Sequence, residues 1–244
     1  MLADCDKDCI PAAAVLNRNC ACLTVDNEQL QRALQELLAQ GAGDMLKERP
    51  NLFAASLVFV AQAHLQQMAD LTQAIDALVR QPAYRAAVLD WAPPIARTAA
   101  ARRRPLADGV FLGYDFHLQT DGPQLIEINT NAGGGLLNTC LARAQRQCCG
   151  PMTIADADKV EAEFVAMFHQ EWAIERGNEP LRRLAIVDDD PGQQFLAPEF
   201  ELFRRLFLLH GIEAVIADPQ QLIFEGGRLL HGGLPVDGLQ FHDR

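Results

Sequence analysis

Hydrophobic positions along the chain change period several times, and those changes divide it. The opening stretch through Cys22 has no period and contains Pro11 and four cysteines, which predicts an irregular arm. Behind an Asp26 cap, Leu30, Ala33, Leu34, Leu37 and Leu38 recur at helical spacing until Gly41 and Gly43 end the run. A second helix is predicted from about Leu52 to Val79, with Leu57, Val60, Ala61, His64, Leu65 and Met68 on one side; a third follows Pro82 and ends near Pro93 and Pro94. His64, on the apolar side, reads as a core residue rather than a ligand.

From Gly109 the spacing becomes alternating. Val110, Leu112, Tyr114, Phe116 and Leu118 form one strand, Asp121-Gly122 turns the chain, and Gln124 to Thr130 alternates again, which predicts a β-hairpin with Ile126 and Ile128 directed into the core. The triplet Gly133 to Gly135 leads into a helix through about Gln147, and a further helix from Asp156 to Arg176 carries Val160, Phe164, Met167 and Phe168. The rest reads as strand (Leu184 to Asp188), helix (Pro198 to His210, ended by Gly211), strand (Ile212 to Ile216), a small hairpin at Gly226-Gly227, and a last strand toward Phe241. Phe195, Phe200, Phe203 and Phe207 repeat at helical spacing and are expected to pack. A strand, a crossover helix and another strand imply a parallel pair whose carboxyl ends, at Asp188 and Ala217, face one crevice.

The fold class is therefore α/β (α+β). A helical amino-terminal region with the antiparallel hairpin occupies residues 1–178, and a small parallel-sheet α/β domain occupies 179–244.

Charge narrows the function. Among 244 residues, 21 Lys and Arg stand against 32 Asp and Glu, a formal net charge of −11, which opposes binding to nucleic acid or to an anionic membrane. The basic run Arg102 to Arg104 has no aromatic neighbour to stack on bases and reads as a solvated loop. The uncharged stretch Asn51 to Ala69 is interrupted by Ser56, Gln62, His64, Gln66 and Gln67, too polar for a membrane span. The first residues, MLADCDKDCI, lack an apolar signal core, so the expected location is the cytoplasm. The seven cysteines are expected as thiols. Cys5, Cys9, Cys20 and Cys22 offer four thiolates, but not the paired knuckles of a zinc ribbon, so zinc ranks behind free thiols. Cys148 and Cys149 read as packing residues at a helix end.

The chemistry concentrates in LIEINTNAGGG, residues 125–135. On an extended strand Glu127 and Asn129 project from one face with Cα atoms ~6.5–7 Å apart, so a carboxylate and an amide carbonyl can converge on a hard cation such as Mg²⁺. Asn131 continues that face. The Gly133 to Gly135 turn and the helix beginning there would aim backbone N–H groups at an anion. There is no P-loop and no GxGxxG after a strand.

The run GYDFHLQTDGPQLIEINTNAGG resembles the metal-binding hairpin of the eukaryotic-type glutathione synthetases, members of the ATP-grasp superfamily, whose E-I-N-T strand end supplies two magnesium ligands. SLVFVAQAHLQQMADLTQAID is similar to that family's helix at the corresponding place, and LFLLHGIEAVIADPQQLIFEGGRLLHGGLPVDGLQFHDR resembles its substrate domain. The resemblance implies an ATP-dependent carboxylate-amine ligase acting through an acyl phosphate, with Mg²⁺ on Glu127 and Asn129. It places Asn131, Ala132, Gly133 and Gly134 at the acid-substrate loop and brings Phe241 to Arg244 near that substrate. Two features depart from the family: Gly113 stands where those enzymes carry a substrate-binding Arg, against a γ-glutamylcysteine substrate, and Asn131, Ala132 and glycines replace a serine-bearing loop. The family's nucleotide-clamping segment lies beyond Arg244, so the expectation is the amino-terminal portion of a ligase, completed by a further segment or a second polypeptide, with small-molecule acid and amine substrates and homo-oligomers allowed.

Other candidates follow from position. Asp115 joins the Glu127 face or leaves it according to the hairpin register. Asp188, Asp189 and Asp190 end a strand where open α/β sheets receive ligands, which makes Asp189 or Asp190, with Gln194, candidates for a substrate amine, although adjacent acids also cap helices. A noncatalytic domain that binds a small acid or peptide and keeps the fold without the nucleotide clamp is the alternative.

Overall fold

The computed structural model describes residues 9–19, 49, 51–53, 58–102, 109, 111–119, 122–144 and 157–241. The helix expected from Asp26, Cys148 and Cys149, Arg244, and the side chains of all four early cysteines lie outside those residues. The protein is a mixed α/β chain of helices and three small sheets in two units, 1–21 with 58–108 and 114–128, and 22–57 with 109–113 and 129–244.

The first unit contains α1 (Cys9–Asn19), α2 (Gln62–Val79), α3 (Pro82–Trp91), α4 (Pro94–Arg102) and most of the hairpin β1 (Gly113–Gln119) and β2 (Gly122–Asn129). α2 begins at Gln62, later than the hydrophobic pattern indicates: Ala61 before it is extended, and the chain leading in is held at Phe59. Its N–H donates to the Asn17 side-chain oxygen at 2.7 Å and its carbonyl accepts from the Asn17 amide at 2.9 Å. His64 is buried, as expected of a core residue. Pro94 opens a helix instead of only ending one, so Arg102 closes α4 rather than lying in a loop.

The second unit is built on β3 (Arg183–Val187), between parallel strands β4 (Glu213–Ala217) and β8 (Gly238–Phe241). β3 pairs in register with β4 from Arg183↔Glu213 to Val187↔Ala217, so the two carboxyl ends do lie side by side. Every residue of β3 is buried, because both faces are covered. Leu184 and Ile186 face a core of Phe168, Phe200, Phe203, Phe207 and Ile212 from α6 (Ala157–Arg176), α7 (Ala197–Leu209) and the residue before β4, joined by Leu136 from α5 (Gly135–Ala144). Ala185 and Val187 face Val236 and Leu222 of a second sheet, β5 (Leu222–Glu225), β6 (Arg228–His231) and β7 (Leu234–Val236). Phe111 meets Phe164 and Phe203 edge-on and Phe168 meets Phe207 the same way, while Phe203 and Phe207 stack; both arrangements suit the ring quadrupoles. Phe195 does not join them; it precedes α7 and is exposed. The second sheet contains one hairpin more than expected, through paired positive φ at Gly232-Gly233 as well as Gly226-Gly227, the geometry of turns whose twist matches the strands.

Among the described residues, no helix is long and apolar enough to cross a membrane.

Candidate functional site

Glu127 and Asn129 occupy alternate positions of β2, the former exposed and the latter half-buried. Ile126 and Ile128 are not core residues: they are 58% and 39% exposed, so the alternation of β2 separates donors from aliphatic side chains without burying the latter. Asp115 can be placed by way of Gly113. A Cβ built on Gly113 would sit 3.6 Å from the Asn129 Cβ, so the two residues share a face of the hairpin. Two residues along each strand, Asp115 and Glu127 share that face as well. Asp115 is exposed, so two solvated carboxylates and an amide belong to one side of the hairpin.

The same Gly113 position lies only 2.8 Å from the Ala132 Cβ, closer than two carbon atoms approach. Any side chain at 113 would displace the turn that carries Asn131 and Ala132. Glycine is thus required here by close approach, and the arginine of the glutathione enzymes is excluded sterically as well as by identity.

The glycine turn behaves differently from the expectation. Its anion is the protein's own. Glu199, fully buried in the first turn of α7, accepts the N–H of Gly134 at 2.5 Å and of Leu136 at 2.8 Å, with Leu137 at 3.4 Å. These are the donors that a helix start leaves unsatisfied, so α5 is capped from α7. Burial pushes the Glu199 carboxyl above the ordinary carboxylate range, while the Gly134, Leu136 and Leu137 N–H groups pull it back. Of the positions expected to hold an acid substrate, Gly134 therefore has its N–H engaged; Asn131 and Ala132 are half-buried and Gly133 is exposed. Glu199 carried a readable signal: it falls on the stripe of Phe203 and Phe207, where an acid needs a partner.

At the carboxyl edge of the parallel sheet, Asp188 donates its N–H to the Ala217 carbonyl at 3.3 Å, and its carboxylate accepts the Asp189 N–H at 2.7 Å. Asp190 turns through φ 45° and donates its N–H to the Asp218 carboxylate at 3.0 Å. That bond, with a second from the Gln220 N–H, holds the Asp218 carboxyl below its ordinary value. The Gln194 amide donates to the Asp189 carbonyl, and the Arg49 guanidinium donates to the Gln194 carbonyl at 2.9 Å. Asp189 is exposed, and the Gln194 side chain braces the loop that presents it.

Among the described residues, no three His, Cys, Asp or Glu side chains are grouped to hold a metal. Comparison with protein-family models and with curated proteins finds no match.

Proposed function

We propose that this chain is an ATP-grasp carboxylate-amine ligase related to the eukaryotic-type glutathione synthetases, or the amino-terminal portion of one. The observation that carries the reading is the pairing of Glu127 and Asn129 on one face of β2, with Asp115 across the hairpin. A carboxylate, an amide oxygen and a second carboxylate, accessible to solvent on an otherwise regular strand, are the hard oxygen donors that suit Mg²⁺. Mg²⁺ on Glu127 and Asn129 would neutralise charge on the ATP phosphates, the main requirement of phosphoryl transfer.

In the overall reaction the γ-phosphoryl group of ATP passes to an oxygen of the acid substrate, releasing ADP. The amine substrate then attacks the acyl carbon, phosphate departs with that oxygen, and the amine loses a proton. Asn131, Ala132 and Gly133 would seat the acid, and Asp189, braced by Gln194, would receive the amine. Because Glu199 engages the Gly134, Leu136 and Leu137 N–H groups, charge stabilisation by those amides is not part of the mechanism.

The same Glu199 bonds favour a second reading, a noncatalytic domain for a small acid or peptide, since an internal carboxylate fills the anion position. Mn²⁺ used as a paramagnetic probe in NMR tests the first. It is expected to broaden the amides of 115 and 127–131 selectively and to lose that effect in Glu127→Ala; broadening that is indifferent to Glu127 would overturn the metal site and leave the binding-domain reading.

A further inference from the structure

A cleft of about 610 Å³ opens at the amino-terminal side of the parallel sheet, bounded by the end of α6, residues 179–182 and the β5–β6 hairpin. It lies in the size range of small-molecule sites. Three arginines line it, Arg176, Arg182 and Arg228, against one solvent-facing acid, Glu179. The other acid there, Asp237, is committed to the backbone: its carboxylate accepts the Arg182 N–H at 2.8 Å and the Arg183 N–H at 3.0 Å. Among the described residues, none of the three arginines forms an ion pair.

In a chain with 32 acids and a net charge of −11, three guanidinium groups against the Glu179 and Asp237 carboxylates give the cleft lining a net positive charge. The walls are aromatic. Arg176 lies over the Trp172 ring at 5.7 Å, a cation–π contact that keeps the guanidinium edge available for further bonds, and Phe224 is 75% exposed. Guanidinium groups match the geometry of phosphate and carboxylate oxygens, and an exposed phenyl ring offers a face for stacking.

We infer that the cleft lined by Arg176, Arg182, Arg228 and Phe224 binds a small organic phosphate carrying a planar ring, at a site separate from the hairpin. The negative charge of the whole chain disfavours an extended nucleic acid there. Phenyl phosphate is the probe, titrated into the full 244-residue chain and followed by amide chemical shifts. Saturable shifts are expected at 176, 182, 224 and 228, weakened by salt, with phenol failing to saturate. The double variant Arg182→Ser, Arg228→Ser should raise Kd about tenfold or more, since charge-assisted bonds are lost. Phe224→Ala should raise it roughly threefold. All three side chains are exposed, so unchanged circular dichroism identifies a folded variant. Absence of saturation, or a Kd unchanged in the double variant, overturns the site; inorganic phosphate binding as tightly as phenyl phosphate, with Phe224→Ala neutral, overturns the ring.

Discussion

The Glu199 carboxylate accepts the Gly134 N–H at 2.5 Å across 65 residues of sequence, and it does so from a fully buried position. This one side chain holds the glycine turn and the start of α5 to the start of α7. Replacing Glu199 with Ala leaves the Gly134, Leu136 and Leu137 N–H groups without that acceptor, and the loss of stability is expected to reach about 3 kcal/mol or more, read from the urea midpoint.

The pH dependence of that contribution has a defined sign. Because burial raises the folded value of Glu199 above the unfolded one, the folded chain binds more protons between the two. The contribution of the protonated group is complete below the ordinary carboxylate value and is lost as pH rises through the raised one. Stability of the wild type minus that of Glu199→Gln should therefore fall with rising pH across this window in paired urea titrations; a rising difference would reverse the assignment.

Gly113 and Ala132 form a second constraint. Gly113→Ala places a methyl 2.8 Å from the Ala132 Cβ and should cost about 1–3 kcal/mol by overpacking. Adding Ala132→Gly removes the obstacle, so a double-mutant cycle should return a favourable coupling of the same order.

Glu127 is exposed on β2, and its removal should be structurally mild. Glu127→Ala is expected to shift stability by no more than about 0.5 kcal/mol, while ATP turnover of the completed enzyme disappears. A fully active Glu127→Ala variant would refute the ligase assignment.

Arg183 is a buried cation with defined partners. Its guanidinium reaches the Glu213 carboxylate at 2.9 Å and the carbonyls of His231 and Leu234 at 3.1 and 3.0 Å. Arg183→Met should destabilise by about 2–3 kcal/mol, chiefly through the loss of the charge-assisted bonds to the two carbonyls and to Glu213, measured by thermal or urea unfolding.

Elements whose side chains report local geometry were legible from the sequence: the hairpin around Gly122, the strand–helix–strand run through Ala185, Phe203 and Val215, and the stop at Gly211. The parallel pairing of the two strands followed from the strand–helix–strand order, but the register that aligns Val187 with Ala217 did not. Much of what escaped depends on partners distant in sequence. The hold on the chain leading into α2 comes from Asn17, 42 residues before Phe59. The anion at the glycine turn comes from Glu199, and the face of Asp115 from the approach of Gly113 to Asn129. The burial of Ile126 and Ile128 was misread because an aliphatic pair on an alternating strand fixes a common face but not what covers it.

The grip of Arg183 on the β6–β7 turn has a dynamic corollary. Since the first residue of the central strand is bonded to carbonyls of the smaller sheet, that sheet cannot peel away as an independent flap without disturbing the strand that both faces depend on. Hydrogen-exchange protection at Leu229 and Leu230 should accordingly decay in step with that at Ala185 and Ile186, as one cooperative block.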